Sequence, residues 1–135
     1  MGYRDSDDAY DLIGGLFDWG CHDPEFSRKI GRVNLSMKIA LHDPSAYFLL
    51  TCRPDKVEWS RAELETTADV EIGMNADTAH RFLRGRVNLL AAVALREIIV
   101  KGALTRLMGL LWAIEPMCGQ YARILQNKGR ADLLS

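Results

Sequence analysis

No stretch of this chain reaches the roughly 18 consecutive apolar residues that a membrane span requires; Arg106 and Glu115 bracket the greasiest window. The opening segment MGYRDSDDAYD is acidic and lacks the apolar core of a signal peptide. Cysteine is scarce. Cys21, Cys52 and Cys118 are odd in number and widely separated, which excludes a disulfide framework and favours a reducing compartment, read here as the cytoplasm. Neither charge dominates: 17 Lys and Arg against 18 Asp and Glu leave a formal net charge of -1, so nucleic acid is not expected as a partner. Motifs that carry chemistry are also missing, with no C-x-x-C, no G-x-S-x-G and no phosphate-cradling glycine loop. Cys21-His22 invites a nucleophile-and-base reading, but neighbours in sequence do not generally meet in hydrogen-bond geometry. His22, His42 and His80, taken with the cysteines, show none of the short spacings of a zinc site. The expectation is therefore no catalytic residue, no metal, no cofactor and no enzyme, with Cys52 and Cys118 as small buried hydrophobes.

What is present suits one domain spanning residues 1–135, with a core from about residue 9 to residue 126. At 135 residues, 48% of them hydrophobic and 26% charged, the chain can bury about two-thirds of its unfolded surface. No internal repeat, low-complexity tract or linker interrupts it. Charge is unevenly spread. Residues 1–25 carry Asp5, Asp7, Asp8, Asp11, Asp18, Asp23 and Glu25 against Arg4, and the carboxylates from Asp5 to Asp11 read as a solvated terminus. Between Arg81 and Arg106 the balance reverses, with Arg84, Arg86, Arg96 and Lys101 facing only Glu97; ordinary solvated faces or an anionic headgroup would both fit that segment.

Taken in order, Ala9 to Phe17 reads as a weak helix carrying the paired glycines Gly14 and Gly15. Asp23-Pro24-Glu25 restarts a helix, with Asp as N-cap, Pro at the first helical position and Glu in the first turn. Gly31 ends it. Val33 to Leu41 alternates cleanly, so one face is core and the other is wet or thinly covered. Strands follow at Ala46 to Cys52, around Val57 and Trp59, and at Ala68 to Met74, and three hairpin-like connections in succession predict an antiparallel meander. Asn75 or Asp77 can cap a helix ending at Gly85, and Asn88 a second, Leu89 to Ala94. From Lys128 the chain is expected to be loose.

The stretch Arg96 to Ile114, REIIVKGALTRLMGLLWAI, organises the rest. Ile98, Ile99 and Val100 read as a buried strand, Gly102 as a turn, and Leu104 to Ile114 as a helix apolar over half or more of its circumference. A two-layer domain needs an apolar arc of only about 100°. More protein, a subunit interface, a membrane surface or an apolar ligand must cover the surplus. Pro116 predicts a kink or restart.

Three phrases in their order and spacing carry a family likeness. They are Asp23-Pro24-Glu25; the D-V-E-I strand Asp69 to Ile72 with Asn75-Ala76-Asp77 and a helix ending in Arg84-Gly85-Arg86; and Ala91 to Ala94 leading to Val100-Lys101-Gly102 and an apolar helix. From about Leu12 to Leu125 the chain resembles the sterol carrier protein 2 (SCP2) family of lipid-binding domains. One departure is Arg96, where the family commonly has glycine, so the turn into the last strand is expected to differ. The resemblance implies an α+β fold, a five-stranded, mostly antiparallel sheet with helices on one face. It also implies an apolar tunnel for a fatty acid, sterol-like lipid, acyl-CoA or quinone, and no chemistry by the domain itself. Candidate wall residues are Phe82, Leu89, Leu90, Val93, Ile98, Val100, Leu104, Met108, Leu111 and Trp112, with Met37, Met74 and Met117 as adaptable lining. Transient membrane contact fits this reading. An alternative is an accessory or scaffold subunit presenting an apolar substrate to a partner enzyme, or a homodimer burying the same surface.

Overall fold

The computed structural model describes residues 2–134. Helix α1 (Ser6–His22) is far longer than the sequence suggests. Its start is fixed by Asp5, whose carboxylate accepts the Asp8 amide at 2.8 Å, and by Asp7 and Asp8 in the first turn, where they complement the helix dipole. Ala9, Leu12, Ile13, Leu16, Phe17 and Gly20 form one buried stripe at helical spacing. Burying each large member contributes about 1.5–3 kcal/mol. The stripe carries the helix through Gly14, whose bare Cα admits the Trp59 ring; a Cβ there would lie 2.7 Å from it.

Helix α2 (Pro24–Gly31) is capped as expected, Asp23 accepting the Phe26 amide at 2.9 Å. Five strands follow in part: β1 (Leu35–His42), β2 (Ala46–Arg53), β3 (Lys56–Arg61) and β4 (Val70–Asn75), then α3 (Ala76–Leu83), α4 (Leu89–Ala94) and β5 (Ile98–Gly102). Asn75 caps α3 and Asn88 caps α4. The sheet order is β3-β2-β1-β4-β5, with β1 and β4 parallel and every other pair antiparallel. The meander is therefore wrong at its fourth strand. Residues 62–69 do not form a hairpin; they carry the chain past β2 and β1 to the free edge of β1. That path spans about three strand spacings, roughly 14 Å, well within the reach of eight extended residues. The crossing loop lies over the outer face. Lys38, on that face, is only 5% exposed because its ammonium donates to the Leu64 carbonyl and faces Glu71.

Inner-face register runs in rows: Phe48, Ile39, Ile72 and Val100 align across four strands, as do Leu50, Met37, Val70 and Gly102. β5 is an edge strand, and not the buried strand that its three β-branched residues suggested. Ile98 is buried but Ile99 points outward, 50% exposed, because nothing covers the outer face there.

The apolar stretch after Gly102 is not one helix. It breaks into α5 (Leu104–Met108), a 3₁₀ turn (Leu111–Ala113) and α6 (Ile114–Asn127). Its buried residues, Leu107, Leu110 and Ala113, recur every third position, the period of a 3₁₀ helix, which lets one side face inward through the break. Pro116 falls in the first turn of α6, where its missing N–H has no intrahelical partner to lose. The restart expected there is found.

Residues 128–134 are tied down, contrary to the expected loose tail. Arg130 is buried in an ion pair with Asp8 and a second with Asp132, 3.0 Å away, while Lys128 reaches Asp11 at 2.7 Å. The acidic N-terminal segment is thus not simply solvated. Beside this latch lies a buried polar chain: the Tyr3 hydroxyl meets the Tyr121 hydroxyl at 2.7 Å, and the latter meets His80 Nδ1 at 2.8 Å. Burial first and Arg84 second hold the His80 pKa below its ordinary 6.5, with Asp77 opposing them. A neutral His80 accepts from Tyr121, which accepts from Tyr3. Since the unfolded chain binds a proton at His80 near pH 6.5 and the folded chain does not, stability is expected to fall as pH drops from about 7 towards 5. Chemical denaturation across that range should show a shallower slope in His80→Gln.

Three helices end alike. After α3, α4 and α6 the residue at C′ takes a left-handed φ, and the amide beyond it reaches back across the last turn (Arg86 to Arg81, Glu97 to Ala92, Arg130 to Leu125). Gly85 and Gly129 supply two of these positions; Arg96, at φ 61°, supplies the third. The turn into β5 therefore takes the conformation a glycine would adopt. Arg96→Gly is expected to raise stability by about 0.5–1 kcal/mol, the left-handed penalty relieved exceeding the added unfolded-state entropy. Equilibrium denaturation would read it.

Candidate functional site

Between the inner face of the sheet and the helices lies a cavity of about 160 Å³. Its floor is the middle of the sheet, where Ile39, Ile72, Met74 and Val100 point inward yet stay only partly buried, because no side chain packs down onto them fully. Its roof comes from the α1 stripe (Ile13, Leu16, Phe17), from Phe26 and Ile30 of α2, and from the α5–α6 segment. Every residue bordering it is apolar apart from the Cys21 thiol and the backbone of Gly20. No charged or hydroxyl-bearing side chain projects in.

The nucleophile-and-base reading of Cys21-His22 finds no geometry. The His22 Nδ1–H donates to the Asp18 carbonyl at 2.7 Å, and burial, then Asp18, push the Cys21 thiol above its usual pKa, so the thiolate is disfavoured. Burial likewise drives Cys52 up to about 11. Among the described residues no cluster of three His, Cys, Asp or Glu could hold a metal ion.

Solved structures share this fold. Apo sterol carrier protein 2 from Yarrowia lipolytica superposes with a TM-score of 0.60 at 16% identity, covering 78% of this chain and 86% of that one. The chain has the SCP2 fold. The UbiJ-SCP2 ubiquinone synthesis protein matches with a TM-score of 0.58 at 17% identity, covering 77% and 85%. Palmitated SCP2L2 from Aedes aegypti matches with a TM-score of 0.55 at 14% identity, covering 78% and 92%. No protein-family model and no curated sequence matches.

Within the SCP2 fold, five of the ten wall residues named from sequence border the cavity: Phe82, Leu89, Ile98, Val100 and Leu111. Leu90, Val93, Leu104, Met108 and Trp112 lie outside its lining. The break in the apolar stretch explains the last three: only one side of each short piece can face inward, and Leu107, Leu110 and Leu111 occupy it. Met37, Met74 and Met117 are in the lining. Sequence reasoning missed the contribution of α1 and α2, although the Leu12-Ile13-Leu16-Phe17 stripe was visible; its destination was not. It also missed Ile39 and Ile72, which the strand alternation had already placed on the core face.

Proposed function

We propose that the chain binds and carries a long apolar molecule whose hydrocarbon enters the cavity between sheet and helices. The observation that supports this is a cavity of about 160 Å³ between sheet and helices, lined without a charged or hydroxyl-bearing side chain. A dry cavity of about 150 Å³ lined by Leu, Ile and Phe admits benzene. The void therefore takes a short hydrocarbon segment as it stands, and a longer chain extends by displacing flexible lining such as Met37, Met74 and Met117 or by leaving past Leu111. Each buried methylene contributes about 0.8 kcal/mol, so a handful offsets much of the cost of association. The absence of a cation inside favours a ligand whose polar end stays at the rim. A palmitated structure among the fold relatives supports an acyl chain as the first ligand to try. The proposed contacts are Phe82, Leu89, Ile98, Val100 and Leu111, joined by Ile39 and Ile72. Three free cysteines favour a reducing compartment. Among the described residues no helix is long and apolar enough to cross a membrane.

Native mass spectrometry of protein purified from its own host, together with titration by a fluorescent fatty acid, tests the reading. A chain that is empty and binds neither fatty acid nor sterol would defeat it. A second reading draws on the likeness to UbiJ-SCP2: an accessory subunit presenting a quinone-like substrate to an enzyme. Stoichiometric co-purification with one enzyme would favour it.

A further inference from the structure

One side of the β5 backbone has no partner. The sheet ends at this strand, and among the described residues its amides and carbonyls bond to no backbone other than that of β4. Gly102 has no side chain, so its exposure is exposure of that backbone. A row of free N–H and C=O groups is a template for another strand, and proteins blunt such edges with charge, proline, a bulge or a covering element. The opposite edge follows that rule. β3 carries Lys56, Glu58 and Arg61 within its six residues, and the indole of its Trp59 donates to Asp18 of α1. β5 does not: it has no proline, pairs with β4 through five consecutive residues without a bulge, and has Lys101 as its one charged side chain.

The side chains along this edge are self-complementary. Glu97, Ile99 and Lys101 alternate onto the outer face of the sheet: Glu97 and Ile99 border one hollow over Ala40 and Gly73, and Lys101 lies opposite Glu71. Neither Glu97 nor Lys101 has an ion-pair partner among the described residues. An antiparallel copy centred on Ile99 sets Glu97 against Lys101 of the second copy, Ile99 against its counterpart and Ile98 against Val100. Centred on Ile98 or Val100, neither charge meets its opposite; centred on Glu97 or Lys101, like charges meet. The register at Ile99 also sets the end carrying Leu95, 72% exposed, beside the end carrying Leu104, 44% exposed.

We infer that two copies of this chain associate edge to edge through β5, antiparallel about a two-fold axis at Ile99, so that two five-stranded sheets continue as one. The two-fold makes the Glu97–Lys101 contact twice. Free backbone groups decide the class of occupant: another strand satisfies them, whereas an apolar surface leaves them unpaired. The order of charges then favours a copy of this strand over an unrelated one. A five-residue edge buries less than the roughly 800 Å² per partner of a standard interface, so micromolar affinity is expected. The inference goes beyond the carrier reading and does not depend on it, because the cavity is formed within one chain.

Sedimentation velocity of the full chain, from about 1 μM to about 1 mM, tests it. A dimer that grows with concentration is expected. Glu97→Lys and Lys101→Glu each set like charges against one another and are expected to weaken the dimer by about tenfold. The double variant Glu97→Lys/Lys101→Glu exchanges the two signs and should restore it. Both side chains are exposed and outside the cavity, so all three variants should melt normally and keep the fatty-acid titration of the wild type. Amide hydrogen exchange reads which surface is used: β5 amides should slow as concentration rises, and those of α5 and α6 should not. A monomer throughout, single reversals that leave the dimer unchanged, a double variant as weak as the singles, or protection elsewhere than β5 would each overturn the inference.

Discussion

Ile72→Trp is expected to lower affinity for a fatty acid by about 1000-fold while the protein stays folded. Ile72 lies in the middle of the floor, between Ile39 and Val100 in the register, and points into the void. The indole adds roughly six non-hydrogen atoms, which a packed core would reject at a cost of about 1–3 kcal/mol but which an unfilled cavity accepts. Those atoms occupy the place of about five methylenes, worth close to 4 kcal/mol of ligand burial. Titration with a fluorescent fatty acid, paired with a thermal melt, reads both halves. Retained affinity with a normal melt would put the ligand elsewhere than this cavity.

The second large effect is on stability. Gly102 pairs with Val70 at the start of β4, has φ of +101°, and leaves so little room that an added Cβ would sit 2.2 Å from the Asp69 carbonyl oxygen. Asp69 cannot retreat. Its amide donates to Ser36 Oγ and its carboxylate accepts the Ser36 amide, both at 3.0 Å, so it is pinned to β1. Gly102→Ala is therefore expected to cost about 2–4 kcal/mol, combining left-handed strain with displacement of the β4–β5 pair. Gly119, mid-helix in α6 with nothing within 4 Å of an added Cβ, supplies the contrast: Gly119→Ala should stabilise by up to about 1 kcal/mol. Urea denaturation of both variants checks the pair, and equal effects would show that the close approach at Gly102 is not what matters.

Much of the fold was legible because its signals are local. Asp23 before Pro24, Asn75 and Asn88 each have a short side chain that reaches an amide two or three residues on, so the caps of α2, α3 and α4 follow from the residues alone. The inward set Leu35, Met37, Ile39 and Leu41 follows from a period of two. The parallel pairing of β1 with β4 was not legible, because a polar connection of eight residues serves a hairpin and a crossover equally well. Half of the wall residues named from sequence missed the cavity for a related reason. Leu104, Met108 and Trp112 were assigned by a helical period that the chain abandons at Gly109.

The sequence by itself determined the starts of α2, α3 and α4, the core face of the strands, the turn at Gly102 and the presence of more apolar surface than the last helices could bury. Only the tertiary structure decided where that surplus went: part faces an internal void and part stands in solvent at its rim. The division depends on which distant side chains, Phe26 and Ile30 from one end and Ile39 and Ile72 from the sheet, arrive opposite the last segment and how closely they pack. A volume left between elements belongs to none of them, so no local pattern encodes it.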